Sequence, residues 1–398
     1  MSRPRSGGTS GPYVLGLVLV LSVGCTAGPP LVEAPPGEPL PGLDGAQLDA
    51  FRSGEAAFNR PFSEAEGLGP LYNQDRCSSC HDLPTSGGHG AEPVSKATRH
   101  TDAEGCSLLT EVGGDLFQQI VSDAGRAQGL TPEAIPSTAT ASADIVPPPL
   151  YGLGLVDAVL DEAILARADP VDSDEDGISG RALVDAEGRV GRFGWKAQHS
   201  TLAGFIEEAT RLEMGVTTPA HPSEERPGGE AMPAGADPAP DPEVDEAFLR
   251  SLEAYIRYLA PPPRSDPGDP DAADDIAEGE RIFSFTGCDV CHVPTMVTPE
   301  SEHPAMDRKV FRIYSDLLIH DLGPDLADTC TPQASPSEWR TAPLVGLGLR
   351  QVYLHDGRAQ TISTAIELHG GEAAQAREIF RSLNPQSREQ LLAYLRSL

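Results

Sequence analysis

The chain has 398 residues and a formal charge of −31 at pH 7, with 38 Pro, 41 Gly and only 5% aromatic residues. So acidic a surface excludes nucleic acid as a partner, since phosphate backbones are held by clustered cations; it suits either steering toward a basic partner or plain solubility. The length fits two domains or slightly more, the Pro and Gly content implies many turns and linkers, and the aromatic content is low for a large apolar core.

Residues 1–24 read as an export signal. Arg3 and Arg5 form a basic start, and residues 13–23 are an apolar run of 11, too short to span a bilayer. The run ends in Leu21-Ser22-Val23-Gly24-Cys25, which resembles a bacterial lipoprotein box with Ser22 where an aliphatic residue is usual. We expect a lipid anchor on Cys25 in the periplasm or cell envelope, the only membrane contact, with ordinary cleavage nearby as the alternative. Residues 25–47 are rich in Pro and Gly and read as a flexible tether.

From about Leu48 apolar residues recur at helical spacing, Ala50-Phe51 and then Ala56-Ala57-Phe58, opening an N-terminal domain over residues 48–264. After a turn-rich approach comes Cys77-Ser78-Ser79-Cys80-His81, and the pattern returns as Cys288-Asp289-Val290-Cys291-His292. Two thiols separated by two residues sit about one helical turn apart. They can add to the two vinyl groups of one porphyrin, and the adjacent histidine then becomes the proximal iron ligand. Zinc or a redox dithiol would also use Cys-x-x-Cys pairs, but neither needs a histidine at the same offset after both. The expected cofactors are therefore two covalently bound haem c, which also supply the missing apolar bulk. The ligands are Cys77, Cys80 and His81 in one half and Cys288, Cys291 and His292 in the other. Once Cys25 and these four are set aside, Cys106 and Cys330 remain of the 7 cysteines. In an oxidising compartment they could pair and staple the halves, or they are two unrelated buried thiols.

Pro149-Leu150-Tyr151-Gly152-Leu153-Gly154-Leu155 has a near copy in Pro343-Leu344-Val345-Gly346-Leu347-Gly348-Leu349, so each haem motif is followed by an apolar, Gly-rich turn. Asp172-Ser173-Asp174-Glu175-Asp176-Gly177 resembles the front of a calcium loop, with Leu183 where the closing Glu of an EF-hand would stand. Ca²⁺ is a candidate there; a solvated acidic turn is the alternative. Phe205, Ile206, Ala209 and Leu212 share one helical face, and Gly215 stops that helix. Residues 217–243 read as an exposed loop, residues 244–260 as an amphipathic helix, and residues 265–275 as the interdomain linker. The C-terminal domain, residues 276–398, opens with a short helix into Cys288 and closes with a helix from about Ser387. The expected fold is mainly α: two cytochrome c-like haem domains with long irregular loops.

Several motifs recur in order over roughly residues 48–398. They include Phe62-Ser63-Glu64-Ala65-Glu66-Gly67-Leu68-Gly69-Pro70, Asp176-Gly177-Ile178-Ser179-Gly180-Arg181 and Gly191-Arg192-Phe193-Gly194-Trp195-Lys196-Ala197. Further on stand Tyr314-Ser315-Asp316-Leu317-Leu318-Ile319-His320-Asp321, Glu338-Trp339-Arg340-Thr341-Ala342-Pro343-Leu344 and Leu354-His355-Asp356-Gly357-Arg358. With them the chain resembles the bacterial dihaem oxidoreductase, putative peroxidase family, some members of which are labelled thiol oxidoreductases. More distantly it looks like dihaem cytochrome c peroxidase. The resemblance implies electron entry at a six-coordinate C-terminal haem, from a small redox protein or a quinol-linked donor. It implies chemistry on a small oxidant such as peroxide at the N-terminal haem. It places His369 where relatives carry a distal Met, so His369 is the expected distal ligand of the second haem. It also matches Glu213 to a distal carboxylate that moves a proton between peroxide oxygens. Relatives carry a Gln earlier in that segment; this chain has none.

The resemblance leaves alternatives. Trp195 and Trp339 could carry electrons between the haems or simply pack. His320 and His355 are rival ligands for the second haem, and His89 and His100 could cap the first. Thiol activity would rest on a family label alone, because haem takes the four paired cysteines. The rival function is a non-catalytic dihaem electron-transfer cytochrome with both haems six-coordinate.

Overall fold

The computed structural model describes residues 1–2, 31–225 and 227–398. The expected signal peptide and Cys25 lie, apart from residues 1–2, outside the described residues. Among the described residues ten α-helices run in order: α1 Gly45–Phe58, α2 Asp123–Ala127, α3 Leu153–Ala158, α4 Asp161–Leu165, α5 Leu202–Met214, α6 Glu246–Tyr258, α7 Pro270–Phe285, α8 Ile362–Glu367, α9 Ala374–Ser382 and α10 Pro385–Ser397. The strands are β1 Leu71–Tyr72, β2 Val94–Thr101, β3 Gly105–Ser107, β4 Leu116–Phe117, β5 Ile120–Val121, β6 Ala141–Ile145, β7 Thr295–Val297, β8 Val310–Arg312, β9 Ile319–Asp321 and β10 Glu338–Arg340.

The expectation of a mainly α chain is corrected by this structure. About 34% of the residues are helical and 13% lie in strands, a mixed α/β architecture. The strands form four small sheets among the described residues: β1–β5, β7–β8, β9–β10 and a larger one in which β2 pairs with β3, β4 and β6, all antiparallel. Most of these strands span two or three residues, too few for alternation to show in the sequence. The longest, β2, finds β6 about 40 residues later without a tight hairpin turn to announce it.

Two helix crossings organise the halves. In α1, Asp44 caps the N-terminus in a reciprocal box with Gln47, and Gln47, Phe51, Gly54 and Phe58 share the buried face. In α7, Asp269 caps, Pro270 takes the first turn, and Gly279, Ile282 and Phe283 are buried. Helix α1 crosses α6, and α7 crosses α10, each at a glycine. A Cβ on Gly54 would stand 2.1 Å from the Ser251 carbonyl oxygen, and one on Gly279 would stand 2.0 Å from that of Gln390. Phe58 lies 5.0 Å from Tyr255 by ring centroids, and Phe283 lies 5.4 Å from Tyr394. The Gly-rich turns repeat the relation, with Gly154 against the Arg257 carbonyl and Gly348 against that of Arg396. The internal repeat in the sequence is thus a repeated packing unit of two helices and a turn. Burying each phenylalanine contributes about 1.5–3 kcal/mol.

Two segments differ from the linkers expected. The expected tether is docked from residue 31 onward. The Val32 N–H donates to the Val310 carbonyl at 3.0 Å, that of Ala34 to Pro261 at 3.0 Å and that of Leu40 to Tyr258 at 2.8 Å. Val32 and Leu40 are buried, and Glu33 pairs with Arg312 at 2.6 Å. Proline-rich chain is already extended, so it can lie in a groove and bury its aliphatic residues. The expected interdomain linker is partly helix, because α7 starts at Pro270, and the Ser265 N–H donates to the Ser397 carbonyl at 2.7 Å. Cys106, on β3, and Cys330 form a disulfide with Cα atoms 5.9 Å apart, tying the β2–β3 hairpin to a loop of the C-terminal half. Among the described residues, no helix is long and apolar enough to cross a membrane.

Candidate haem sites

Cys77 and Cys80 lie on one tight turn, Cys77–Ser79, in which the Cys80 N–H donates to the Cys77 carbonyl at 3.2 Å. His81 follows. Its Nδ1 lies 3.2 Å from the Gly88 carbonyl oxygen. A carbonyl only accepts, so Nδ1 carries the proton and Nε2 keeps its lone pair, the tautomer that binds a metal. Burial drives the imidazole's pKa down to about 4, which keeps it neutral. Phe58 of α1 stands 6.3 Å from the ring and fixes one side of it.

His81 opens onto a cavity of about 1860 Å³, its mouth to solvent included, lined also by Cys77, Cys80 and residues from both halves. Helix α5 forms one wall with Leu202, Phe205, Ile206, Ala209 and Glu213. Phe311 and Ile313 come from the C-terminal half. Glu213 is the only α5 carboxylate with an asparagine partner: Asn73 Nδ2 donates to its Oε2 at 3.1 Å. Burial pushes the Glu213 carboxyl up to about 7, and the Asn73 bond acts against that shift. Lys96 and Glu208 are among the other ionisable groups that line the cavity. Lys96 of β2 pairs with Asp115 at 3.2 Å. Burial acts to lower the Lys96 pKa, but Asp115 and Glu208 outweigh it and hold the ammonium charged. Glu208 is bonded by His199 Nε2 at 3.0 Å.

The second site repeats the first. Cys288 and Cys291 lie on the turn Cys288–Val290. His292 Nδ1 donates to the Tyr314 carbonyl at 3.0 Å, burial lowers its pKa to about 4, and Phe283 stands 6.5 Å away. His369, just past α8, donates from Nδ1 to the Ala365 carbonyl at 2.7 Å and is lowered by burial. It lies near enough to His292 to depress that residue's basicity further. His81, His292 and His369 each have Nδ1 on a main-chain carbonyl, and the Pro148 carbonyl also lies beside the His81 ring.

The rival histidines are engaged elsewhere. His320 bonds Asp316 at 2.9 Å and Glu372 at 2.8 Å. Burial opposes its charge, but Asp316, Cys291 and Glu372 hold its pKa up at about 12, so it is an imidazolium. His355 bonds Asp328 at 2.6 Å and stacks on Trp339 with centroids 3.7 Å apart. The Gln351 N–H donates to His89 Nε2 at 3.3 Å, and His100 sits in β2 opposite Cys106; neither lines the cavity. Trp195 does line it, donating from Nε1 to the Val146 carbonyl at 3.3 Å. Its ring lies 6.2 Å from His355, so Trp195, His355 and Trp339 form a row. Asp172, Asp174 and Asp176 bring carboxylate oxygens within 4.8 Å of one another, while Asp172 also accepts the Gly177 N–H at 3.2 Å.

These residues fit a haem at each site: paired thiols one turn apart, a neutral imidazole with a free Nε2, and, at the first, a large and mostly apolar cavity. Sequence reasoning missed Asn73, Lys96, Arg340 and Arg350 as parts of the first site. Asn73, four residues before Cys77, and the cations Arg340 and Arg350, which flank the second Gly-rich turn, were the signals present.

Over residues 142–398 the chain matches the model of a family described as di-haem oxidoreductase, putative peroxidase. No curated protein matches it. Among solved structures it is similar to hydrazine synthase of Kuenenia stuttgartiensis, at 15% identity over 98% of this chain and 100% of that one, TM-score 0.39. It is similar to a MauG-like protein associated with microbial copper homeostasis, at 15% identity over 93% of each chain, TM-score 0.40. It is also similar to a variant of a diheme peroxidase from Burkholderia thailandensis, at 14% identity over 92% of this chain and 89% of that one, TM-score 0.38.

Proposed function

The chain belongs to the di-haem oxidoreductase, putative peroxidase family, and from that premise we propose an exported, lipid-anchored enzyme that reduces peroxide at its N-terminal haem with electrons received at its C-terminal haem. Cys77, Cys80 and His81 would hold one haem, and Cys288, Cys291 and His292 the other, through thioether links and an imidazole ligand. His369 closes the second site, which leaves that haem to electron transfer. Cys25 carries the anchor.

One comparison within the chain carries this reading. Helices α5 and α8 follow equivalent short bridges, Phe193 to His199 and Tyr353 to Ala359, and are capped by Thr201 and Thr361. Eight residues past its cap, α8 leads to His369; eight residues past its own cap, α5 has Ala209. His81 is the only histidine lining the first cavity; Met214 also borders the cavity but belongs to the cluster with Phe62, Leu68, Val216 and Val244. The first site therefore offers space where the second offers an imidazole.

Haem iron supplies one-electron chemistry and, at the first site, a coordination position for a small oxidant. The polypeptide supplies the proton handling. Reducing hydrogen peroxide to two waters takes two electrons and two protons. Glu213, as a carboxylate, accepts the proton of one peroxide oxygen and returns it to the other, and Asn73 holds it in place. The His81–Gly88 bond fixes the proximal ring. The charge of −31 favours a small basic redox protein as donor, with a quinol-linked donor as the other source.

The test is peroxide consumption by the holoprotein with a reduced basic cytochrome as donor. Wild type turns over, and Glu213→Gln loses ~10²-fold or more with both haems intact. A wild-type protein indifferent to peroxide would leave the non-catalytic electron carrier as the reading.

A further inference from the structure

Five arginines line the first cavity: Arg76, Arg192, Arg312, Arg340 and Arg350. Three have a carboxylate partner, namely Asp75 for Arg76, Asp161 for Arg192 and Glu33 for Arg312. Arg340 and Arg350 have none within salt-bridge distance among the described residues. Arg340 donates from Nε to the Gly194 carbonyl at 2.9 Å and from Nη1 to that of Thr341 at 3.3 Å. Arg350 donates from Nη2 to the Pro343 carbonyl at 3.0 Å, and its Nε is buried with no partner. Both guanidiniums are buried in the wall of the one cavity. Both belong to the C-terminal half, yet both face the cavity built on His81.

A chain with 60 acidic and 29 basic residues has carboxylates to spare, so two neighbouring cations left without one need another explanation. Desolvated guanidinium is costly unless an anion meets it. Planar guanidinium forks are matched by carboxylates, which they bind in pairs of parallel bonds. Glu208 is taken up by His199 and Glu213 by Asn73, and Asp316 acts on Arg340 only from beyond salt-bridge distance, so an anion in direct contact with the pair must arrive with a ligand. A porphyrin carries two carboxylates side by side on one edge, away from the vinyl groups that meet the thiols.

We propose that Arg340 and Arg350 bind the two propionates of the haem held by Cys77, Cys80 and His81. The C-terminal half thereby completes the first haem site. Two cations at the propionates favour the reduced, less positive iron and keep the propionates ionised across the pH range, so the first haem's potential is both raised and made insensitive to pH. Arg340 also ties the halves at this point, because its N–H donates to the Trp195 carbonyl at 3.0 Å. The same pair of cations could instead serve a carboxylate of the oxidant, and the experiment separates these sources.

The proposal rests on haem being present at the first site, which is checked first by intact mass and haem content. A mass short of one haem would sink that underlying reading. With two haems confirmed, the midpoint potential of each haem is titrated against pH in wild type, Arg340→Gln, Arg350→Gln and the double variant. The first haem shifts to lower potential in each single variant, further in the double variant, and gains a pH dependence. The second haem does not move. Arg340→Lys and Arg350→Lys recover most of the potential, which a merely structural role would not predict. An unmoved first-haem potential and pH profile in both glutamine variants overturns the proposal. So does an unmoved potential with a raised KM for monoperoxyphthalate, which carries a separate carboxylate, and an unchanged KM for hydrogen peroxide, which would assign the pair to an anionic oxidant.

Discussion

Asn73 and Glu213 are joined twice. The Asn73 N–H donates to the Glu213 carbonyl at 2.7 Å, and its side-chain amide donates to Glu213 Oε2 at 3.1 Å. The double link pins the end of α5 to the segment that leads into Cys77, so the carboxylate cannot move independently of the first haem motif. Burial raises the Glu213 pKa to about 7 and the Asn73 amide opposes the rise. Only the ionised carboxylate can accept the peroxide proton. We expect kcat/KM for hydrogen peroxide to fall as pH drops through about 7. Asn73→Ala removes a bond that favours the ionised form, so the acid limb moves to higher pH. A pH–rate profile on both proteins checks this, and an unshifted limb in the variant would remove Asn73 from the account.

His369 and His292 bracket the second site, each with Nε2 free. His369→Ala should open that site. The absorption spectrum of the oxidised holoprotein would gain a high-spin contribution equal to one haem, and added imidazole would reverse it. No spectral change would strike His369 from the ligands.

The glycines at the two crossings predict matched losses. Gly54→Ala would place a methyl against the Ser251 carbonyl, and Gly279→Ala would place one against that of Gln390. Each should cost about 1–3 kcal/mol through overpacking. Urea unfolding followed by far-UV circular dichroism measures it, and the midpoint should fall in both variants.

Cys106 and Cys330 close a loop of 224 residues across the halves. Cys106→Ser should lower stability by about 2–5 kcal/mol. Dithiothreitol should do the same to wild type and nothing further to the variant, because the thioether links proposed for haem would resist it. Intact stability in the variant would show that packing alone holds the halves.

The sequence made some of this legible and hid the rest for identifiable reasons. Helices α5, α6 and α10 were readable because their apolar residues recur at helical spacing, and a glycine stops α5 and a proline run stops α6. The haem motifs were readable because the chemistry demands five contiguous residues. His369 was singled out through family likeness, and its free Nε2 appears only in the structure. The docking of residues 31–44 was hidden because proline-rich composition does not distinguish a tether from a strap. The mainly α expectation failed on strands such as β9 and β10, where Trp339 faces His320 across three-residue partners with no periodicity to read. Lys96, Arg340 and Arg350 were hidden because β2, β10 and the second Gly-rich turn meet the first haem motif only through long-range pairing.

The central claim is that the two haems are coordinated unequally, the first open and the second closed by His369. Low-temperature electron paramagnetic resonance of the fully oxidised wild-type holoprotein tests it most directly. The account predicts one high-spin signal and one low-spin bis-imidazole signal, each integrating to one haem per chain, with only the high-spin signal perturbed by a small ligand such as cyanide. Two low-spin signals of equal weight, both untouched by cyanide, would contradict it.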